Sequence, residues 1–286
     1  MLASRDIFDK NRTPMKKILF PMDFDKAAYN AFIYALRFAQ AMSAEIVVIS
    51  AFHIEHPVYN EDPAYPDAAE LGEFETFQQQ LPELYAIMQA NDAQDIKITH
   101  RLESGEVVDG IIRAAQEESP DLIIMGTSQV ASWQNDTRTH QVMARTAFPV
   151  LGIPEKCQYV KIQKAVFLTR FHKRHMASLE KIYKMVAMFQ GVIDVVELAP
   201  RENWDTNQSL ALWRRRFLGT EIKFRVVRAE PTVENINTIV ESCGATLLAF
   251  EEHPDRPLFA RLGKVLARNM MSGCNIPLLS IPVNDK

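Results

Sequence analysis

Four residues at the ends of apolar runs have the chemistry to contact a ligand. Asp23 follows one run, and Met125, Gly126 and Thr127 end another. The carboxylate of Asp23 could accept a hydrogen bond from an adenine or a ribose, but an Asp at this place is also suited to capping a helix. Gly126 and Thr127 could offer an amide and a hydroxyl to a ligand, or the glycine could serve backbone geometry alone. Both interpretations of each residue stay open.

A basic cluster in the second half could bind an anion. Its members are Arg170, His172, Lys173, Arg174 and His175, and they lie at the expected start of a helix. Backbone amides at a helix start and cationic side chains together can bind a phosphate or another anion. The alternative is a solvated polar turn, the usual role of such a charge cluster. Arg170, Lys173 and Arg174 are therefore the candidate anion-binding residues.

Other reactive residues do not form a recognisable site. His53 and His56 flank Glu55 without an obvious third ligand, so we expect no metal site. The 3 cysteines are an odd number without a Cys-x-x-Cys pair, which fits neither a disulfide scaffold nor a zinc site. The sequence also lacks the Gly-x-Ser-x-Gly segment that presents a hydrolase nucleophile. We expect a protein that is not an enzyme and that requires no cofactor.

Composition restricts the class of protein. Of the 286 residues, 47% are hydrophobic and 24% charged, the balance of an ordinary protein able to bury a sizeable core. The formal net charge of -4 gives no general attraction to nucleic acid or to an anionic membrane. Three arginines at 214–216 are better explained as the solvent face of an amphipathic helix with Leu210, Trp213 and Phe217 turned inward. No apolar stretch is long enough to span a bilayer, and the expected location is the cytoplasm.

Strands and helices alternate along the first half. The segments 45–52 and 121–125 are apolar and rich in β-branched residues without polar alternation, as in strands covered on both faces. Apolar residues at helical spacing occupy the segments between such runs. The pattern predicts five strands and about four helices in roughly 140 residues, which is a complete doubly wound α/β unit.

The second half repeats this plan. Four of its segments match segments of the first half in the same order, namely 164–171 with 17–24, 222–228 with 96–102, 246–250 with 121–125, and 276–282 with 148–154. We therefore predict two copies of one domain, joined near 155–163. The predicted divisions are an N-terminal extension at 1–14, a first domain at 15–155 and a divergent second domain at 162–286.

Four segments in order resemble the universal stress protein family. They read KILFPMDF at 17–24, SGE at 104–106, DLIIMGT at 121–127 and FPVLGIP at 148–154. The similarity covers 15–154 well and 162–282 weakly, so the whole chain resembles a tandem member. The resemblance implies an adenine nucleotide alpha hydrolase-like fold. Each half is then an open five-stranded, mostly parallel sheet with helices on both faces.

The resemblance also implies where a nucleotide would bind. In nucleotide-binding members an acidic residue ends the first strand, and a Gly-x-x-Gly segment follows the fourth strand, with Gly and Ser or Thr nine residues later. Asp23 and Gly126 match this pattern, but Gln129 occupies the second glycine position. Thr139 and His140 lie near the later Gly-Ser position. The nucleotide-binding motif of the first half is thus degenerate.

The second half departs further from the family pattern. Arg170 replaces the acidic residue that ends the first strand. Glu251, Glu252 and His253 occupy the place after the fourth strand, so carboxylates lie where a phosphate would bind and would repel it.

The resemblance implies a non-catalytic cytoplasmic stress-response protein that acts as a binding or signalling module. Any pocket would lie around Asp23, Met125, Gly126 and Thr127. The alternative is a member that binds ATP or AMP and hydrolyses ATP weakly through the same residues.

A scaffold formed by the two domains is a further expectation. The segments 149–153 and 277–281 would be apolar edge strands, and such edges favour pairing. In similar family members the last strand mediates domain pairing. We therefore predict a pseudo-twofold arrangement within one chain, with a homodimer as an additional expectation. The sequence does not identify a protein partner.

Overall fold

The computed structural model describes residues 16–52, 68–127, 138–201, 204–252 and 276–283. The strands in these ranges are β1 (Lys17–Pro21), β2 (Glu45–Phe52), β3 (Ile98–Ser104), β4 (Leu122–Thr127), β5 (Val150–Pro154), β6 (Lys164–Leu168), β7 (Val192–Leu198), β8 (Ile222–Val227), β9 (Leu247–Glu252) and β10 (Leu278–Pro282). The helices are α1 (Lys26–Met42), α2 (Ala68–Ala90), α3 (Val107–Glu118), α4 (Arg138–Arg145), α5 (Met176–Met188), α6 (Trp204–Arg216) and α7 (Val233–Cys243), and a 3₁₀ turn at Lys173–His175 precedes α5. The predicted extension at 1–14 and the histidines at 53 and 56 lie outside the described residues.

All described strands belong to one sheet of ten strands, in the order β3-β2-β1-β4-β5-β10-β9-β6-β7-β8. Each half therefore has the same internal order, with its first strand between its second and fourth. Neighbouring strands are parallel within each half, and β5 and β10 are antiparallel where the halves meet. The predicted mostly parallel α/β fold is confirmed, and its two sheets are joined edge to edge into one.

Backbone hydrogen bonds across the β5–β10 junction connect the two halves. Ser280 lies opposite Val150 in the antiparallel register. On the other side of β5, the amide of Ile123 in β4 donates to the carbonyl oxygen of Pro149 at 2.9 Å. Because successive amides of a strand point to opposite neighbours, the amide of Leu151 is directed to β4 and the amide of Val150 to β10.

The two faces of the sheet carry two apolar cores. Helices α1, α2, α5 and α6 cover one face, and α3, α4 and α7 cover the other. Each core contains buried residues from both halves, so it continues across the β5–β10 junction. The near-complete burial of strands β4, β5 and β9 follows from this double cover. The predicted inward face of α6 is also observed, since Trp213 and Phe217 are buried.

Helix α1 also fixes the segment between the halves. The hydroxyl of Tyr34 donates to the carbonyl oxygen of Gln158 at 2.8 Å and lies 3.0 Å from the sulfur of Cys157. The ring of Phe38 packs against that of Phe189, which follows α5, with 4.9 Å between centroids. One helix of the first half therefore contacts both the connecting segment and the second half.

A close approach of α1 to the end of β4 requires a residue without a side chain. A Cβ atom on Gly126 would lie 2.5 Å from both the carbonyl carbon and the carbonyl oxygen of Ala27. Backbone atoms at this distance cannot move aside without displacing the helix. Packing of α1 therefore explains this glycine without a ligand.

The sequence places most elements close to where the structure has them. The segment 96–102, which repeats at 222–228, corresponds to strand β3, and the strand lies two residues later, at Ile98–Ser104. The domain divisions at 15–155 and 162–286 remain predictions. None of the described helices is both long and apolar enough to cross a bilayer.

Replacing Val150 by Pro tests the β5–β10 junction. Proline lacks the amide that is directed to β10. The carbonyl oxygen of β10 that faces this amide would then stay buried without a donor. We expect Val150→Pro to lower the free energy of unfolding by about 1–3 kcal/mol beyond the loss in Val150→Ala, which keeps the amide. Urea denaturation followed by circular dichroism measures the difference. Equal stability of the two variants would show that the junction does not need this hydrogen bond.

Replacing Gly126 by Ala tests the close approach of α1 to β4. We expect a loss of about 1–3 kcal/mol, because the new methyl group meets helix backbone. Gly152→Ala is the matched control, since a Cβ there would lie 3.1 Å from the flexible end of Met143. We expect Gly152→Ala to lose less unfolding free energy than Gly126→Ala in the same denaturation experiment. If Gly126→Ala were the more stable of the two, the proposed steric role of this glycine would be wrong.

Candidate functional site

The carboxyl ends of β1 and β4 meet at one edge of the sheet, which we call the first-half edge. Ligands of open parallel α/β sheets bind at such a place, where the strand order reverses. Asp23 follows β1, and Thr127 is the last residue of β4. Arg138, the first residue of α4, also reaches this edge, with its Nη1 atom 3.5 Å from the Asp23 carboxylate.

Asp23 is not the residue that caps α1. The side chain of Asp25 accepts a hydrogen bond from the amide of Ala28 at 2.7 Å and so occupies the N-cap position. The capping interpretation of Asp23 is therefore wrong in its residue, because two acids lie close together and the second caps the helix. Half of the Asp23 side chain is exposed. Partial burial raises the pKa of the Asp23 carboxyl, and the negative charge of Asp25 raises it further.

The other three predicted residues of the first-half edge take part in packing. Met125 is buried in the core below α3 and α4. Thr127 is buried, and its hydroxyl donates to the hydroxyl of Thr139 at 3.2 Å. Thr139 in turn donates to the carbonyl oxygen of Gly126 at 2.9 Å. These hydroxyl groups hold α4 against β4, so only Asp23 of the four predicted residues has an exposed polar side chain.

The predicted phosphate-binding segment is only partly described. Gln129, at the second glycine position of the family pattern, lies outside the described residues. Thr139 and His140, near the later Gly-Ser position, are both buried in α4. Neither side chain presents a polar group at the surface of the first-half edge.

The predicted anion-binding residues come together in one turn. Arg170 follows β6, and Lys173 and Arg174 lie in the 3₁₀ turn before α5. All three side chains are exposed. Arg174 also contacts a buried neighbour, since its Nε atom donates to the Nε2 atom of His175 at 3.1 Å. The structure thus gathers a basic turn at the carboxyl end of β6, which with the end of β9 forms the second-half edge.

Two buried glutamates lie at the second-half edge. Glu251 is fully buried and Glu252 is 3% exposed, and burial raises the pKa of each carboxyl to about 7. They are the last two residues of β9, and the expected replacement of a phosphate site by carboxylates remains a prediction. His253, the third residue of that expectation, lies outside the described residues.

Sequence reasoning missed the buried partners of Glu251. Thr169 donates to the Glu251 carboxylate at 2.8 Å, and the Nδ1 atom of His175 lies 3.0 Å from the same oxygen. The available signal was the presence of polar residues at positions where the first half has apolar ones. His175 was assigned instead to an exposed basic cluster, whereas it is 3% exposed.

The two edges face opposite ends of the molecule. Strands of the two halves run in opposite directions because β5 and β10 are antiparallel. The carboxyl ends of β1 and β4 therefore lie at one end of the sheet, and those of β6 and β9 at the other. A ligand at the first-half edge cannot contact the basic turn of the second half.

A cavity of about 510 Å³ lies at the amino ends of the first three strands. Its charged side chains already pair with one another. Lys17 bonds Glu118 at 2.8 Å, and Lys97 bonds Glu45 at 2.5 Å. The described residues contain no group of three His, Cys, Asp or Glu side chains that could hold a metal ion. The prediction of no metal site remains a prediction.

Solved structures share the fold of the whole described chain. A universal stress protein from Archaeoglobus fulgidus superposes with a TM-score of 0.73 at 17% identity, over 94% of this chain and 97% of that chain. A Pseudomonas aeruginosa protein described as a universal stress protein gives a TM-score of 0.61 at 10% identity, over 95% and 94%. The cytoplasmic domain of a prokaryotic cation chloride cotransporter gives 0.55 at 10% identity, over 95% and 97%. At these identities the likeness shows the fold alone.

The sequence of the first half matches a known family of domains. Residues 14–151 match the model of the universal stress protein family. A search of curated protein sequences gives no match. The matched segment contains β1 to β4 and the residues of the first-half edge, and the structural neighbours extend the same fold over both halves. The chain therefore contains a domain of the universal stress protein family at residues 14–151.

Proposed function

We propose that this protein is a non-catalytic stress-response protein of the cytoplasm that acts as a binding or signalling module. Its ligand site is the first-half edge. The observation that carries the proposal is the difference between Asp23, which is half-exposed, and the hydroxyls of Thr127 and Thr139, which bond each other inside the fold. This edge has a group that can recognise a ligand, while its hydroxyl groups are committed to packing.

Asp23 suits the base or ribose end of a nucleotide. A carboxylate accepts hydrogen bonds from ribose hydroxyls and from an exocyclic amine. Because Asp25 caps α1, the Asp23 carboxylate is not needed to begin the helix. Its raised pKa reflects a partly desolvated position, in which a hydrogen bond to a ligand is stronger than in water.

The phosphate end of a nucleotide fits less well. Thr139 donates its hydroxyl proton to Gly126, and Thr127 donates to Thr139, so neither proton is available to a phosphate oxygen. Binding that relies on Asp23 alone would hold AMP and ATP similarly. It would not align a γ-phosphate for attack by water, which is why we propose no catalysis.

An ATP- or AMP-binding protein with weak ATPase activity is the second candidate. Arg138 favours it, because its guanidinium lies 3.5 Å from Asp23 and could pair with a phosphate of a nucleotide bound there. The two candidates share one site and differ in what the site does with the phosphates.

The two halves would act as one scaffold in either case. The last strands β5 and β10 pair with each other within the chain, so neither is a free edge for a second copy. A homodimer, which remains a proposal, would have to use another surface. The outer strands β3 and β8 are the remaining edges of the sheet within the described residues.

Calorimetric titration with AMP and with ATP plus Mg²⁺ tests the proposed site. We expect both nucleotides to bind with affinities less than about tenfold apart, which is a difference of about 1.4 kcal/mol. Asp23→Asn, which keeps the shape and removes the charge, should abolish or strongly weaken both. No phosphate release from ATP should accompany binding.

Glu230→Gln is the matched control, since it removes an exposed carboxylate beyond the carboxyl end of β8, at the opposite end of the sheet, and should leave binding unchanged. Much tighter binding of ATP than of AMP, with phosphate release lost in Asp23→Asn, would establish the ATPase candidate instead. If neither nucleotide binds, the first-half edge is not a nucleotide site and the search moves to protein partners.

A further inference from the structure

The second half has a buried polar cluster where the first half is apolar. The registers of β1 with β4 and of β6 with β9 align the two halves and place Glu251 at the position of Gly126. When the match of 164–171 with 17–24 is continued along the sequence, the polar residues Thr169, His175 and Ser178 correspond to Met22, Ala28 and Ala31. Four apolar or side-chain-free positions have thus been replaced together by groups that bond one another.

The contacts of the cluster are short and mutual. One oxygen of the Glu251 carboxylate accepts from the Thr169 hydroxyl at 2.8 Å and lies 3.0 Å from Nδ1 of His175. Ser178 also donates to this carboxylate. Nδ1 of His175 lies 2.9 Å from the carbonyl oxygen of Arg170, in the basic turn. The cluster therefore connects the end of β9 with the turn before α5.

The hydrogen bonds of the cluster indicate where its protons lie. Nε2 of His175 accepts from Nε of Arg174, so its proton lies on Nδ1 and the imidazole is neutral in this arrangement. The second oxygen of Glu251, Oε1, is buried without a hydrogen-bond partner. Full burial and the unbonded Oε1 favour the protonated carboxyl, against the hydrogen bonds from Ser178 and Thr169 and the charge of Arg174, which favour the carboxylate.

Burial raises the pKa of the Glu251 carboxyl, and the positive charge of Arg174 acts in the opposite direction without offsetting it. The 3₁₀ turn contributes His175 and Arg174, and the guanidinium of Arg174 belongs to an exposed side chain. Strand β7 contributes Glu197, whose Oε2 accepts from the Phe171 amide at 3.2 Å. Strand β10 places Ile281 beside Glu251, β6 contributes the neutral Thr169, and α5 contributes the neutral Ser178. The neighbouring Glu252 points to the opposite face of the sheet.

We propose that Glu251 and His175 form a proton-binding site in the second half, whose occupancy controls the conformation of the basic turn at Arg170, Lys173 and Arg174. With the proton bound, the cluster is neutral and holds the turn through His175. When the proton leaves, a negative charge is buried beside an imidazole that donates to it. The charge strengthens the hydrogen bonds that Glu251 accepts and its attraction to Arg174, whose Nε already bonds His175, so the turn that carries both residues shifts toward β9.

The pH range of this switch follows from burial. Burial raises the pKa of the Glu251 carboxyl from 4.5 to about 7. The folded protein therefore keeps a proton between these two values that the unfolded chain has already released. Stability is highest below pH 4.5 with respect to this group, and it falls as pH rises toward 7. Glu252 contributes in the same direction, with its pKa also raised to about 7.

Nuclear magnetic resonance titration of the full chain from pH 4 to pH 9 tests the proposal. Carboxyl carbons of labelled glutamates report protonation directly, and backbone amides at 170–178 report the turn. We expect the Glu251 carboxyl to titrate near neutral pH, and the turn amides to shift with the same midpoint. A Glu251 midpoint near 4.5, or turn amides that do not shift with it, would overturn the proposal.

Two isosteric variants distinguish control of the basic turn by Glu251 from a general effect of buried glutamates. Glu251→Gln and Glu252→Gln each remove one buried carboxyl, and each should reduce by one the protons released on unfolding near pH 6. Only Glu251→Gln should abolish the neutral-pH shift of the turn amides. If Glu252→Gln abolishes it equally, His175 and Glu251 are not the controlling site. Should Glu251→Gln fail to fold, the titration of the unaltered chain still decides.

The site does not depend on nucleotide binding. It lies at the opposite end of the sheet from Asp23, so the turn titration can succeed when the calorimetric titration fails, and the reverse also holds.

Discussion

The antiparallel pairing of β5 with β10 is the constraint on which the rest of the structure depends. It turns two five-stranded units into one ten-stranded sheet and lets both apolar cores continue from one half to the other. It also buries two strands that would otherwise be apolar edges and sites of association. Because the pairing is antiparallel, the carboxyl ends of the two sets of strands point away from each other. The position of every candidate ligand group follows from this geometry.

Within that shared frame, one residue position distinguishes the chemistry of the halves. Gly126 lets α1 approach the strand so closely that no side chain fits between them. At the corresponding place, the carboxylate of Glu251 lies between β9 and the start of α5 and bonds hydroxyl and imidazole groups there. A fold can keep its strand order and replace a tight helix contact with a polar cluster. The replacements must then occur both on the strand and on the helix that packs against it. The second half is therefore a chemically different site on the same backbone plan.

The sequence predicts the fold well because apolar periodicity and strand order depend on local pattern and on burial. It predicts the pairing of the halves from two short apolar strands that would otherwise be exposed. It leaves open a capping role for Asp23, whereas the cap belongs to Asp25, since the first turn of a helix cannot be located within two residues from pattern alone. The sequence does not predict the cluster of Thr169, His175 and Glu251. Strand register brings Glu251 to the other two residues, which precede it by more than 70 residues in the chain.

Joining the halves by a peptide segment has a consequence for how the protein responds to dilution. Two separate subunits that pair through their last strands dissociate when their concentration falls, whereas β5 and β10 are held in one chain at a high effective concentration. The two unlike edges are therefore present in equal number in every molecule, whatever the expression level. A cell that makes more or less of this protein changes the number of such paired units and leaves the ratio of their two chemistries fixed.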